Sequence, residues 1–237
     1  PSLDTLTSWH SDWKNLRVAV FGLGVSGFSV ADTLLELGSE VLVVAEKAEP
    51  EYVDLLGVIG AKTLIGTESN HSEQELVAFA PDLVITSPGL RPDSYLIRWA
   101  VSSAVPIWTD IDLAWRLRDK VGRPADWICI TGTNGKTTTA QLTNHILQKA
   151  GLRSEACGNI GTPILDCIRN EEGLDVLVVE LSSFQLHYLG EIRPFAAAVL
   201  NIDLDHIDWH GSFEAYKAAK GKVFQNVEAA CVFNVAD

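Results

Sequence analysis

The sequence predicts an α/β chain folded as two parallel-sheet domains, and three observations carry that expectation. Short apolar runs alternate with segments of helical period along the 237 residues, the pattern of successive β-α units. Two of these runs, "RVAVFG" (17–22) and "WICITG" (127–132), lead directly into glycine turns that open helices. Between the two series lies "VGRPAD" (121–126), where Gly, Pro and charge fall together as they do in linkers. The expected domains are therefore 1–122 and 123–237.

After "RVAVFG" the first series continues with a helix near 25–37, the run "EVLVVAE" (40–46) and a stretch without clear period. It resumes with "DLVITSPG" (82–89), a helix after Pro92 and "VPIWTD" (105–110). It closes on "IDLAWRLRDK", where Ile111, Leu113, Ala114 and Leu117 fall roughly on one helical face. The second series opens on "WICITG" and passes a helix near 136–150 stopped by Gly151. It runs on through "DVLVVEL" (175–181), "FAAAVLNID" (195–203), a helix near 212–226 and a last strand in "ACVFNVAD". Asp237 follows that strand with no further helix, so the second domain is expected to be cut short.

Composition narrows the function. With 47% hydrophobic and 21% charged residues the chain is expected to be soluble and globular. A formal net charge of −13 argues against nucleic acid and against an anionic membrane, whose phosphates are held by clustered Lys and Arg. The four cysteines, Cys129, Cys157, Cys167 and Cys231, show no C-x-x-C spacing and are expected to be reduced and buried, as in the cytoplasm. No apolar run reaches the ~18 residues of a membrane span, and the start lacks the basic-then-apolar order of an export signal. Methionine is absent, position 1 included, so the native start is not fixed by this sequence.

The stretch "ITGTNGKTTT" (130–139) carries the chemistry. It departs from the phosphate-loop pattern G-x-x-x-x-G-K-[ST] at its first position, which is Ile130. A buried strand precedes it and a helix follows, so Gly132, Thr133, Asn134, Gly135, Lys136 and Thr137 sit where backbone N–H groups and a helix dipole converge on an anion. Gly132 and Gly135 allow close approach, Lys136 supplies a point charge and Thr137 a hydroxyl for Mg²⁺. Glu180 ends a strand of the same series and emerges at the same sheet edge, where a carboxylate reaches a metal. The third strand of the series, within "AAVLNIDLDH", brings Asp203, Asp205 and His206 to that edge. Taken alone, His206 reads as a structural histidine and Lys220 as a solvated helix charge.

In the first domain "FGLGVSG" places Gly22, Gly24 and Gly27 in the G-x-G-x-x-G spacing of a Rossmann-like dinucleotide turn. Glu46 follows about twenty residues on, where an acidic residue grips a ribose. That domain alone leaves an NAD-dependent oxidoreductase open.

Five segments together resemble the Mur ligase family: "TGTNGKTTT", "GNIG" (158–161), "ELSSFQL" (180–186), "LNIDLDHIDWH" (200–210) and "YKAAKGKVF" (216–224). The resemblance implies a Rossmann-like domain for a UDP substrate followed by an incomplete ATP-binding domain of phosphate-loop type. It implies an ATP- and Mg²⁺-dependent ligase of peptidoglycan synthesis, cytoplasmic and monomeric. "S-S-F-Q-L" points to the branch that joins D-glutamate to UDP-N-acetylmuramoyl-L-alanine through an acyl phosphate.

By position, the resemblance sets the ATP phosphates on Gly132 to Lys136, with Thr137 and Thr138 next to them, and the metal on Thr137, Glu180 and His206. It makes Lys220 a carbamylated lysine supporting a second metal, so that Lys136, Glu180, His206 and Lys220 form the catalytic set. The uridine diphosphate falls to Gly22, Gly24, Val25, Ser26, Ser87 and Lys47, and the muramoyl-alanine part to Asn159 and Gln185. Where the family often shows D-[TS]-R after the second strand, this chain reads Ala45, Glu46, Lys47. Without the resemblance, Asn159 reads as a turn residue and Gln185 as a surface polar group.

The D-glutamate site would lie in a further domain, so this piece is expected to bind the UDP substrate and turn over little. A folylpolyglutamate synthase shares the shortened loop but usually begins at it, and a nucleotide-sensing module would make Glu180, His206 and Lys220 a coincidence.

Overall fold

The computed structural model describes residues 2–235. Its contacts divide the chain into Pro1–Arg116 and Leu117–Asp237, and each unit holds one five-stranded sheet.

In the first unit β1 (Arg17–Leu23) is followed by α1 (Val25–Glu36), β2 (Glu40–Ala48), α2 (Pro50–Ile59), β3 (Lys62–Ile65) and α3 (Ser69–Phe79). Then come β4 (Leu83–Thr86), α4 (Tyr95–Ser102), β5 (Ile107–Trp108) and α5 (Asp110–Leu117). The strand order is β3-β2-β1-β4-β5 with every pairing parallel. Val18, Ala19, Val20 and Phe21 are buried without a break, which is why β1 reads as a continuous apolar run: a central parallel strand is covered on both faces. The chain reverses direction across the sheet between β1 and β4, so the turns that follow these two strands share one edge, where open α/β sheets bind ligands.

The stretch that showed no period, 47–81, contains α2, β3 and α3. Its silence has a physical cause. Only Leu56 of α2 is buried while Leu55, Val58 and Ile59 face outward, and β3 is an edge strand with a single buried residue, Leu64.

The second unit contains β6 (Asp126–Thr131), α6 (Lys136–Lys149), β7 (Ser154–Gly158), α7 (Ile164–Ile168), β8 (Val176–Glu180) and α8 (Ser183–Tyr188). It goes on through β9 (Ala196–Val199), α9 (Ile207–His210), α10 (Phe213–Gly221) and β10 (Ala230–Phe233). The order is β10-β9-β6-β8-β7, again all parallel. Three expectations need correction here. The strand taken as third is the fourth, because β7, whose sequence "SEACG" is small and polar, intervenes. The strand expected over 195–203 stops at Val199, and the helix expected over 212–226 ends at Gly221 before a 3₁₀ turn, Lys222–Phe224. Of the four thiols, Cys129, Cys157 and Cys167 are buried but Cys231 is exposed, since all of β10 lies open at the edge of the sheet.

Among the described residues no helix is long and apolar enough to cross a membrane.

Candidate active site

The loop between β6 and α6 is built by its neighbours. At the end of β6 the buried hydroxyl of Thr131 donates to the Leu181 carbonyl at 2.7 Å, locking the strand end to β8. Gly135 caps α6 with φ +80°, a left-handed conformation that costs a side-chain-bearing residue about 1 kcal/mol or more and glycine almost nothing. The first-turn amides of α6 have no partners within the helix, and its dipole places partial positive charge there.

The Lys136 ammonium donates to the carbonyls of Gly132 and Thr133, both at 2.9 Å. The Gly132 carbonyl also accepts the Lys220 ammonium at 2.7 Å. Lys220 is 2% exposed, which corrects the reading of a solvated helix charge. With Tyr216 and Ala219 it forms the inward face of α10, and its ammonium lies 4.8 Å from the centre of the Tyr216 ring. Burial, and then the charge of Lys136, lower its pKa to about 8, with Asp205 pulling the other way.

A second group centres on Glu180, the last residue of the fully buried β8. An unpaired carboxylate there would cost several kcal/mol. It is paired instead: the Thr137 hydroxyl donates to one oxygen at 2.8 Å and the Asn159 amide to the other at 2.9 Å. The Asn159 backbone N–H donates to the Glu180 carbonyl, also at 2.9 Å. Asn159 is thus more than a turn residue, since it orients the carboxylate.

His206 has contacts of its own. It sits at φ +50°, 3.4 Å from the Asp205 carboxylate, with its ring centre 4.7 Å from that of Phe184. Among the described residues no three His, Cys, Asp or Glu side chains gather into a metal cage. The oxygen donors of Thr137 and Glu180 nevertheless suit Mg²⁺, which keeps several waters and takes one or two carboxylates together with phosphate oxygens. Thr138 is exposed on the first turn of α6.

Gln185 is 1% exposed, so the reading of a surface polar group is corrected too. Its carbonyl accepts from the Ser182 N–H at 3.0 Å while the Ser182 hydroxyl accepts from the Gln185 N–H at 3.2 Å, a capping box at the start of α8.

Two residues escaped the sequence reading. Asn201 joins the loop backbone, its Oδ1 accepting from the Asn134 N–H at 2.8 Å. His210 lies 3.0 Å from the Ser183 hydroxyl through Nε2, and its pKa is lowered to about 4 by burial and then by His187, His206 and Lys220.

In the first unit the glycine turn is closely packed. A Cβ at Gly22 would lie 2.4 Å from the Ser87 hydroxyl, and one at Gly27 only 2.2 Å from the Gly22 carbonyl oxygen. Ser87 is held by its N–H on the Phe21 carbonyl at 2.8 Å. Gly24 has open space where its Cβ would be. Val25 is 56% exposed, Ser26 is half-buried, and Glu46 and Lys47 are exposed at the end of β2. Gly22, Gly27 and Ser87 thus meet in the first unit, while in the second Lys136 and Lys220 meet at the Gly132 carbonyl and Thr137 and Asn159 meet at Glu180.

Comparison with known proteins finds matches for both units. Residues 16–109 match the family described as "Mur ligase MurD-like, N-terminal domain" and residues 130–237 match "Mur ligase middle domain". The chain is 56% identical over 246 aligned residues to the UDP-N-acetylmuramoylalanine--D-glutamate ligase of Leifsonia xyli subsp. xyli, covering 99% of this chain and 48% of that protein. It is 46% identical over 240 residues to the enzyme of that name from Tropheryma whipplei strain Twist, covering 99% and 49%. The chain therefore spans about half the length of these curated relatives. Among solved structures it shares its fold with the UDP-N-acetylmuramate:L-alanyl-gamma-D-glutamyl-meso-diaminopimelate ligase of Neisseria meningitidis. That match has a TM-score of 0.58 and 19% identity, and covers 93% of this chain and 72% of that one. The UDP-N-acetylmuramate-alanine ligase of Thermotoga maritima gives a TM-score of 0.51 at 23% identity, covering 92% and 49%.

Proposed function

The chain belongs to the Mur ligase family, and on that premise we propose that the whole protein joins D-glutamate to UDP-N-acetylmuramoyl-L-alanine at the expense of ATP. The observation that carries this reading is the β6–α6 loop with Lys136 at its base and the Thr137–Glu180 pair beside it. The names of the curated relatives supply the substrates. We further propose a cytoplasmic monomer, with the domains parting at 122/123.

A carboxylate is a poor electrophile, so it has to be activated. In the proposed reaction an oxygen of the alanyl carboxylate attacks the γ-phosphorus of ATP, the bond to the β-phosphate oxygen breaks, and ADP leaves. The amine of D-glutamate then attacks the acyl carbon, the acyl–oxygen bond breaks, phosphate departs and the amine loses its proton. No side-chain nucleophile is required. The chain positions the phosphates and neutralises charge as it spreads over the transferring group.

The amides of the α6 first turn and the Lys136 ammonium would hold the β- and γ-phosphates. Lys136 must then leave the Gly132 and Thr133 carbonyls, exchanging two neutral acceptors for an anionic one, which favours the move. Thr137 and Glu180 would hold Mg²⁺, with His206 at the γ-phosphate side; when bound, the ion supplies positive charge for the transferring phosphoryl group. Asn159 keeps the Glu180 carboxylate oriented. Lys220, with its pKa lowered to about 8 by burial, has the neutral amine fraction that carbamylation by CO₂ requires. In the first unit, Gly22, Gly24, Val25, Ser26, Ser87 and Lys47 would receive the uridine diphosphate, and Asn159 and Gln185 would face the muramoyl-alanine end.

The test is ADP release by the whole protein. Release should require both UDP-N-acetylmuramoyl-L-alanine and D-glutamate, and Lys136→Ala should abolish it. Release that ignores D-glutamate, or that needs NAD in place of ATP, would overturn the reading.

A further inference from the structure

We infer that Asn201 is a positioning residue for the phosphate loop: it occupies the Thr133 and Asn134 amides and confines the phosphate donors to Gly135, Lys136, Thr137 and Thr138. The inference rests on the nucleotide-binding reading above. In loops of this kind successive backbone N–H groups usually turn together toward an anion. Here two of them are already committed. The Thr133 N–H donates to the Asn201 carbonyl at 2.9 Å and the Asn134 N–H to Asn201 Oδ1 at 2.8 Å. The Asn201 side chain also donates from Nδ2 to the Asn134 carbonyl at 3.1 Å, so it pairs with both backbone groups of one residue as a neighbouring strand would.

The placement follows from the sheet. β9 lies beside β6 with Val199 opposite Thr131, and the Leu200 N–H donates to the Thr131 carbonyl at 2.9 Å. Asn201 comes next and carries that pairing past the end of the strands into the loop. Gly132 fits because a Cβ there would press to 3.1 Å from the Leu200 Cβ. On its other side the loop is held through the Thr133 hydroxyl, 2.8 Å from the Tyr216 hydroxyl and accepting from the Asp203 N–H at 2.9 Å.

The loop is therefore fixed from two directions, and what remains for phosphate is the first turn of α6, whose amides lack helical partners. Asn201 acts here on the loop, its carbonyl and Oδ1 each accepting from a loop N–H and its Nδ2 donating to a loop carbonyl. Its contribution is preorganisation, which appears as affinity because the ligand no longer has to order the loop.

Residue-resolved hydrogen exchange and calorimetry on the whole protein test this, with Mg·ATP as the probe. In the wild type the Thr133 and Asn134 amides should exchange slowly without nucleotide, and those of residues 135–138 should gain protection when Mg·ATP is added. Asn201→Ala, which removes two side-chain hydrogen bonds, should weaken Mg·ATP binding about tenfold and speed exchange at Thr133 and Asn134. Binding of the UDP substrate, a readout that general misfolding would also shift, should stay within about twofold. Free exchange of the Thr133 and Asn134 amides in the wild type overturns the inference, whether or not the variant folds. So does an Asn201→Ala protein that binds Mg·ATP like the wild type. If the wild type shows no magnesium-dependent ATP binding and Lys136→Ala changes nothing, the nucleotide reading itself falls and takes this inference with it.

Discussion

Lys220 buries its ammonium against the Gly132 carbonyl at 2.7 Å, and that same oxygen accepts the Lys136 ammonium at 2.9 Å. Two cations thus share one acceptor at the base of the loop, and the buried one carries the cost.

The pKa of Lys220 falls from 10.5 to about 8 on folding. A depressed folded-state pKa means stability that is complete above pH 10.5 and lost as pH falls through about 8. At neutral pH the loss is ~3 kcal/mol. Lys220→Met should therefore be at least as stable as the wild type at pH 7 and should lack the wild type's gain in stability between pH 8 and 10, measured by urea unfolding. Ligase activity should be lost in the same variant.

Glu180 separates charge from structure. Glu180→Gln keeps the shape and should leave the melting temperature within a few degrees, while ADP release falls about a hundredfold. Glu180→Ala removes the partner of both Thr137 and Asn159, and should cost a further ~2 kcal/mol of stability. Thermal melts and turnover of the two variants, measured side by side, check both statements.

The glycine turn of the first unit offers a matched pair. At Gly27 a methyl group would sit 2.2 Å from a backbone oxygen, whereas at Gly24 it meets nothing within 4 Å. Gly27→Ala should destabilise the fold by ~2 kcal/mol or more. Gly24→Ala should fold normally yet weaken UDP-substrate binding by about tenfold or more, because that open space is where the ligand is proposed to approach. Calorimetry with the UDP substrate distinguishes the two; equal effects on stability would count against the packing argument.

His210 sets an acid limit. Its pKa drops from 6.5 to about 4, so its contribution to stability is whole above pH 6.5 and is lost as pH falls through 4. His210→Asn should flatten the fall in melting temperature between those values relative to the wild type. Relative to the wild type the variant should fare best at and below pH 4, where the wild type has lost that contribution.

Much of this was readable in advance because glycine spacing and apolar runs report backbone geometry directly. The β6–α6 loop, the turn after β1 and the arrival of Glu180 at the same edge follow from strand and helix order. What escaped depended on tertiary neighbours. β3 and β7 are edge strands whose small or polar residues leave no pattern, and α2 turns Leu55, Val58 and Ile59 outward. Lys220 looks like any helix lysine until Tyr216 and Ala219 turn its face inward. Asn201 and His210 are ordinary residues in sequence, and only the pairing of β9 with β6 and the packing of α9 on α8 give them partners.

The open edge at β10 has a practical side. Its four residues, Ala230 to Phe233, carry no charge, and each is exposed, with Val232 at 58% and Phe233 at 62%. Such a border invites a second copy to add a strand, and dissolved oxygen can then oxidise the two Cys231 thiols to a disulfide. Purified alone, the polypeptide should be kept dilute and under reductant, and a precipitate that redissolves with dithiothreitol would betray this border as its origin.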